Sequence, residues 1–179
     1  IFPASLNIYA QPTVQFSKAE LATIKELTKG LNFDQTFILA RDFAFKKDYK
    51  KAKLLCNYIL NELPNYSEVR TLKGRMLAWE GKFPVAESEL LSAIKRTPFE
   101  NDSYLALMDV YWWSDQNKKA IEIANKAVSN GIKNPEISFK LAETYKRMNN
   151  TKDANSIIND LLKKYPGNTN YLIFKKSLR

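Results

Sequence analysis

The residue types that usually carry enzyme chemistry are scarce in this chain of 179 residues. It has no histidine and one cysteine, which excludes a Ser-His-Asp triad, a Cys-His pair, a histidine-ligated metal and a disulfide within the chain. None of its five glycines falls in a phosphate-binding GxGxxG or P-loop motif. The acidic pair Glu87 and Glu89 lies two positions apart on a predicted helix, so its carboxylates face different directions. We therefore predict no catalytic residue, no cofactor and no metal site.

The charge of the chain is basic but dispersed. There are 28 basic and 19 acidic residues, a formal net charge of +9. Three of the basic residues form the C-terminal tail: Lys175, Lys176 and Arg179. The sequence lacks a run of five basic residues, a helix-turn-helix pattern and an RNA-recognition signature, so we predict no nucleic-acid partner.

Residues 1–17 carry no charge and differ in composition from the rest of the chain. We expect an extended arm over residues 1–16. The stretch Ile8-Tyr9-Ala10-Gln11 resembles the end of a bacterial secretory signal, with a small residue at the cleavage position. A plain extended arm is the other interpretation, and whether residues 1–11 are retained in the mature protein is left open.

An alanine recurs every 34 residues: Ala52, Ala86, Ala120 and Ala154. This period aligns four segments without a gap, 33–66, 67–100, 101–134 and 135–168. Two further columns follow the same period, one of mostly small residues and one of large apolar residues: Ala40, Gly74, Met108 and Ala142, then Phe43, Leu77, Tyr111 and Tyr145. Four equal segments with matching columns predict a repeat protein.

Each segment predicts a pair of antiparallel helices. A first amphipathic stretch is followed by a short turn and a second amphipathic stretch. The predicted turns are Lys47-Asp48, Gly81-Lys82, Gln116-Asn117 and Asn150-Thr151. Small residues where the helices cross allow the two axes to approach closely. The predicted fold is all-α, a right-handed α-solenoid of antiparallel helix pairs.

Helices are also predicted at both ends of the repeats. Ser17 and Glu20 have the spacing of a capping box, which predicts an N-terminal capping helix within 17–31 that stops at Gly30. Asn134-Pro135-Glu136 has the sequence of an N-cap followed by a first-turn proline and acid. Residues 169–179 predict one more helix, which we expect to be truncated, or else a closing cap.

The columns resemble the tetratricopeptide repeat (TPR) over residues 33–168, with departures such as Met108 and Ile132. Two segments, residues 74–83 and 109–115, are similar to the repeat region of YaiO-type outer-membrane proteins of bacteria. This second resemblance implies a periplasmic arm associated with the outer membrane, joined to the membrane only through a C-terminal anchor that is missing here. A free-standing cytoplasmic adaptor is the alternative.

The TPR resemblance implies a ligand in a concave groove lined by the first helix of each repeat. The predicted ligand-binding groove consists of Phe37, Arg41, Phe45, Arg75, Trp79, Asp109, Trp112, Trp113, Phe139, Glu143 and Arg147. It includes all three tryptophans, and tryptophan and arginine often dominate binding energy. Because the ninth position changes from arginine to acid along the array, we expect a protein or peptide ligand whose charge is polarised along its length.

Flat aromatic rings also stack on sugar rings. A polysaccharide-binding repeat domain of an envelope export system is therefore the alternative function. The same tryptophans would serve both ligands, so the sequence leaves the two open.

Overall fold

The computed structural model describes residues 13–178, and within that range it has ten α-helices and no strand. The predicted all-α class is confirmed. Residues 1–12 of the predicted arm lie outside the described range. The helices are α1 Lys18–Leu27, α2 Phe33–Phe45, α3 Tyr49–Glu62, α4 Ser67–Trp79, α5 Phe83–Arg96, α6 Asn101–Trp113, α7 Asn117–Ser129, α8 Pro135–Arg147, α9 Thr151–Lys164 and α10 Thr169–Lys176.

The chain divides into two compact units, unit 1 up to Val69 and unit 2 from Arg70 onward. In unit 1, α2 packs against α3, and α1 also contacts α3. Ahead of α1, the backbone of Val14 exchanges two hydrogen bonds with the Asn61 amide, at 2.9 and 2.8 Å. In unit 2, α6 packs against α7 and α8 against α9, while α10 packs on α9.

The helices begin where capping residues satisfy their first backbone N–H groups. Ser17 accepts a hydrogen bond from the N–H of Glu20, and the Glu20 carboxylate accepts one from the N–H of Ser17, which confirms the predicted capping box. Asn134 caps α8 with Pro135 in the first turn, also as predicted. Local sequence thus sets where these helices start.

Four turns between paired helices share one backbone geometry. A residue with positive φ recurs every 34 positions, at Lys47, Gly81, Asp115 and Asn149, with φ of 63°, 75°, 55° and 58°. The next N–H donates to a carbonyl five residues earlier, at distances between 2.7 and 2.9 Å. This is a Schellman turn, in which glycine is the least strained residue at the left-handed position.

Lys47→Gly is expected to stabilise unit 1 by about 0.5–1 kcal/mol, because the left-handed conformation is strained for a residue with a side chain and unstrained for glycine. Urea unfolding at neutral pH measures the change. Asn149→Gly is the matched control and should give a smaller gain, since asparagine tolerates this conformation. An unchanged or lower stability for Lys47→Gly would contradict the turn geometry.

The small-residue columns lie in the core. Ala52, Ala86, Ala120 and Ala154 are each 0% exposed. A Cβ atom added at Gly74 would lie 2.6 Å from Cγ of Leu90, so no larger residue fits there without displacing its neighbour. The buried Cys56 occupies the same apolar column as Leu90, Ala124 and Ile158, all 0% exposed. The 34-residue columns therefore mark the packing of the helices.

Candidate functional site

The first helices of unit 2 are α4 from Arg70, α6 and α8, and we call the surface that they share the first-helix face. Thr71 on α4 and Ser103 on α6 share a buried hydrogen bond of 2.7 Å beneath it. Helices α6 and α8 pack directly against each other. This face carries eight of the eleven predicted groove residues: Arg75, Trp79, Asp109, Trp112, Trp113, Phe139, Glu143 and Arg147.

A network of ion pairs crosses the first-helix face. Asp109 on α6 accepts from Arg75 of α4 at 3.4 Å and from Lys140 of α8 at 2.5 Å. Arg75 also pairs with Asp102 at the start of α6. The charges of Arg75 and Asp109, which we expected to attract opposite ends of a ligand, therefore compensate each other within the protein.

Trp112 is held by the neighbouring helix. Its indole Nε1–H donates to the Thr144 hydroxyl at 2.7 Å. The Lys140 ammonium lies 4.7 Å and the Arg147 guanidinium 5.2 Å from the ring centroid. These cation–π contacts and the hydrogen bond join α6 to α8, so Trp112 and Arg147 already have partners inside unit 2.

Trp79 and Trp113 are the large apolar side chains of this face that solvent reaches. They are 39% and 49% exposed, and they occupy the last position of α4 and of α6, 34 residues apart. Exposed tryptophans of this kind supply large contact area at low cost in side-chain entropy. They are the strongest candidates for contact with a ligand.

Phe139 lies at the end of the face but packs inward. Its ring centroid is 5.0 Å from that of Tyr171 and 5.3 Å from that of Phe174. Both partners belong to α10, so Phe139 joins α8 to the C-terminal helix. Its apolar area serves the core of unit 2.

Three predicted groove residues belong to unit 1. Phe37 packs on Tyr66 at 5.5 Å between centroids, and Arg41 lies 5.9 Å from the Phe37 ring. The Tyr66 hydroxyl donates to Asp34 at 2.7 Å, and burial together with this carboxylate raises the pKa of Tyr66 to about 12. Phe45, in contrast, is 70% exposed.

Glu143 differs from the other charged residues of the first-helix face. Within the described chain its carboxylate makes no hydrogen bond or ion pair. Burial raises the pKa of Glu143 above its ordinary 4.5, and Asp109 adds to this, although Lys140 and Lys146 oppose it. A half-buried carboxylate without a hydrogen bond or a close ion pair can accept a hydrogen bond or a cation from a ligand.

Glu143→Gln is expected to stabilise unit 2 at pH 7 by about 0.5 kcal/mol. A pKa raised in the folded state means that the folded state binds the proton more tightly, so stability falls as pH rises through the raised pKa. The gain from Glu143→Gln should therefore shrink toward pH 4. Thermal unfolding of both proteins across this pH range measures the difference, and a destabilised variant at pH 7 would show that the carboxylate has a partner.

Sequence reasoning missed Lys140, Thr144 and Asp102. Asp102 lies in the first turn of α6, the first helix of its repeat, and the TPR resemblance implies that the first helices line the groove. Lys140 lies three residues before Glu143 on the same side of α8, a spacing that marks neighbours on a helix. Thr144 has no comparable signal, because its role depends on the indole that reaches it from α6.

Two further features can be stated for residues 13–178 only. No helix in this range combines the length and the apolar composition needed to cross a membrane. The range also contains no group of three or more cysteine, aspartate or glutamate side chains arranged to hold a metal ion.

The helices are paired with a fixed period, and the first helices carry a polar and aromatic face. These features define a tetratricopeptide-repeat protein. The chain belongs to the family described as the Psidin N-terminal TPR repeats region, whose model matches residues 43–174. The TPR fold generally serves as a scaffold without catalysis. No curated protein matches the chain significantly.

Solved structures share this fold. TTC0263, a thermophilic TPR protein of Thermus thermophilus, is similar with a TM-score of 0.70 and 19% identity, over 89% of this chain and 86% of that chain. MamA is similar with a TM-score of 0.67 and 16% identity, over 82% and 80%. YrrB, a TPR protein with an unusual peptide-binding site, has a TM-score of 0.63 and 14% identity, over 90% and 82%. At these identities the likeness shows the fold alone.

Proposed function

We propose that the chain is a non-catalytic scaffold that binds a protein or peptide segment on the first-helix face of unit 2. The observation that carries this proposal is the exposure of Trp79 and Trp113 at equivalent positions of adjacent repeats. The ion pairs of Arg75, Asp109 and Lys140 hold the helices beneath them, which gives the two indoles a fixed platform. A peptide-binding site in a protein of the same fold, YrrB, supports this choice of ligand.

Glu143 adds a polar group to the apolar platform. Its carboxylate, which makes no hydrogen bond or close ion pair within the described chain, would accept a backbone N–H or a lysine or arginine of the peptide. A hydrogen bond to a charged group contributes about 1.5–3 kcal/mol. The tryptophans would then supply affinity, and Glu143 would fix the register of the peptide.

Selection of a random peptide display library on the purified protein tests this proposal. Counter-selection uses the Trp79→Ala/Trp113→Ala double variant, and we expect sequences that are enriched on the wild type and lost on the variant. Phe99→Ala is the matched control, because Phe99 is 75% exposed and lies in the loop between α5 and α6. Peptides that bind the double variant as well as the wild type would contradict the proposed face.

A polysaccharide ligand is the second candidate, and the same exposed indoles favour it. Sugar rings that stack on Trp79 or Trp113 would change the intrinsic tryptophan fluorescence directly. Titration with envelope oligosaccharides should produce a saturable change in the wild type that disappears in the double variant. No change at any oligosaccharide concentration would remove this candidate.

The proposal includes a periplasmic location at the outer membrane, supported by the similarity of residues 74–83 and 109–115 to the repeat region of YaiO-type proteins. Fractionation of the source cells with an antibody against unit 2 tests it. Signal in the outer-membrane fraction is the expected result. A purely cytoplasmic signal would instead favour a free-standing adaptor.

A further inference from the structure

A cleft of about 430 Å³ opens on the side of unit 2 opposite to the ion-pair network of α8. Helix α8 forms its floor, and α7 and α9 form its walls. Its apolar lining comes from Val128, Leu141, Ile157 and Leu161, and its polar lining includes Ser138 and Lys164. A volume of this size is within the range of ligand pockets.

The preceding repeat shows what fills the equivalent space. Tyr104 on α6 occupies the fourth position of its segment and is 0% exposed. Its hydroxyl donates to the Pro98 carbonyl at 2.9 Å and accepts from the Asn130 amide at 2.6 Å. The residue 34 positions later is Ser138, which lines the cleft. The cleft therefore lies where the ring of Tyr104 lies one repeat earlier.

One apolar side chain of the cleft is exposed where the ring is missing. Ile94, on the wall beside Tyr104, is 1% exposed, whereas its counterpart Val128 is 55% exposed. Leu161 replaces the smaller Ala127 and takes up part of the space, yet the cleft remains open. The side chain of Val128, whose counterpart is buried in the preceding repeat, therefore lacks a group to cover it.

A polar bridge that closes the preceding repeat is also absent at the cleft. Glu87 on α5 accepts from the Tyr111 hydroxyl at 2.9 Å and from the Lys119 ammonium on α7 at 3.1 Å. At the cleft, Ile121 stands in place of Glu87 and Asp153 in place of Lys119. The hydroxyl of Tyr145, the counterpart of Tyr111, makes no hydrogen bond within the described chain. Helices α7 and α9 consequently lack the link that joins α5 to α7.

We propose that this cleft binds a tyrosine side chain of a protein partner, in the position that Tyr104 occupies one repeat earlier. Lys164 lines the cleft and comes 34 positions after Asn130, the residue that donates to the Tyr104 hydroxyl, so its ammonium would donate to the incoming phenol. Leu141 and Ile157 would contact the ring. This site is separate from the first-helix face and does not depend on the function proposed for that face.

Filling the cleft from within the chain tests the geometry. Ser138→Tyr restores the residue of the preceding repeat and is expected to raise the melting temperature, whereas Ser138→Ala should leave it nearly unchanged. A Ser138→Tyr protein that melts below the wild type would overturn the assignment, because the cleft would not be the space of a tyrosine ring.

Binding is tested with p-cresol, the side-chain analogue of tyrosine, by amide chemical shifts in two-dimensional NMR. We expect saturable shifts at Val128, Ser138 and Leu161 in the wild type and in Ser138→Ala, and affinity weaker by about tenfold or more in Ser138→Tyr. Val128→Asp, a change at an exposed wall position, should also weaken binding. If Ser138→Tyr fails to fold, the loss of p-cresol affinity in Val128→Asp tests the same site.

Two results would overturn the proposal. One is the absence of p-cresol shifts at the cleft in the wild type. The other is equal binding of isobutanol, a leucine-like probe, which would show that the cleft does not select an aromatic ring.

Discussion

Ala120→Leu is expected to lower the free energy of unfolding of unit 2 by about 1–3 kcal/mol, because the added carbons have no space in the core. Ala120 is 0% exposed in α7 and belongs to the same apolar cluster as Met108 and Tyr111 of α6. A leucine there must push α7 away from α6 or force side chains out of their preferred rotamers. Either response loses contacts along the whole helix pair.

Urea unfolding followed by circular dichroism measures this change. Ala22→Leu is the control, since Ala22 lies exposed on α1 and should alter stability by less than about 0.5 kcal/mol. If Ala120→Leu is as stable as the wild type, the 34-residue alanine column does not mark the helix crossing.

The Trp79→Ala/Trp113→Ala double variant is expected to weaken binding of a peptide selected on the wild type by about 100-fold, as expected when two aromatic anchors are removed. The helical fold should be retained, because neither side chain belongs to the buried core cluster of unit 2. Isothermal titration calorimetry gives the affinity, and circular dichroism gives the helicity of the same samples.

Trp112→Ala separates binding from structure. Because Trp112 bonds Thr144 and contacts Lys140 and Arg147, its removal should destabilise the junction of α6 and α8. If the double variant loses helicity while Trp112→Ala does not, the structural and binding roles of the tryptophans are the reverse of those proposed.

The fold could be predicted from the sequence because each repeat has the same packing pattern. The period of Ala52, Ala86, Ala120 and Ala154 requires the same helix crossing at four places, and chance does not maintain such a column. Caps such as Ser17 and Asn134 act over a few residues only, so they can be recognised without a tertiary structure. The alanine period and the capping residues therefore predicted the helix packing and the helix starts that the structure shows.

The candidate site was only partly predictable, because helical position indicates a face but not the partner of each side chain. Arg75 and Asp109 share the ninth position, and their pairing depends on how far α4 lies from α6. Phe139 shares the face as well, yet α10 supplies aromatic partners for it. Contacts between repeats decide which predicted residues stay available to a ligand.

The cleft between α7, α8 and α9 was not foreseen from the sequence for a related reason. In the aligned segments, Ser138 takes the position that Tyr104 has in the preceding repeat. Its consequence depends on whether neighbouring side chains close the gap. Leu161 fills only part of the space, and that outcome follows from three-dimensional packing.

The indole N–H signals of the three tryptophans provide the most direct test of the proposed binding face. In a two-dimensional NMR titration with a peptide selected on the wild type, we predict saturable shifts of the Trp79 and Trp113 signals at the concentrations that saturate calorimetric binding. The Trp112 signal should move less, because its N–H already donates to Thr144 at 2.7 Å. Saturating peptide that leaves the Trp79 and Trp113 signals in place, while amides elsewhere in the chain shift, would contradict the assignment of binding to the first-helix face.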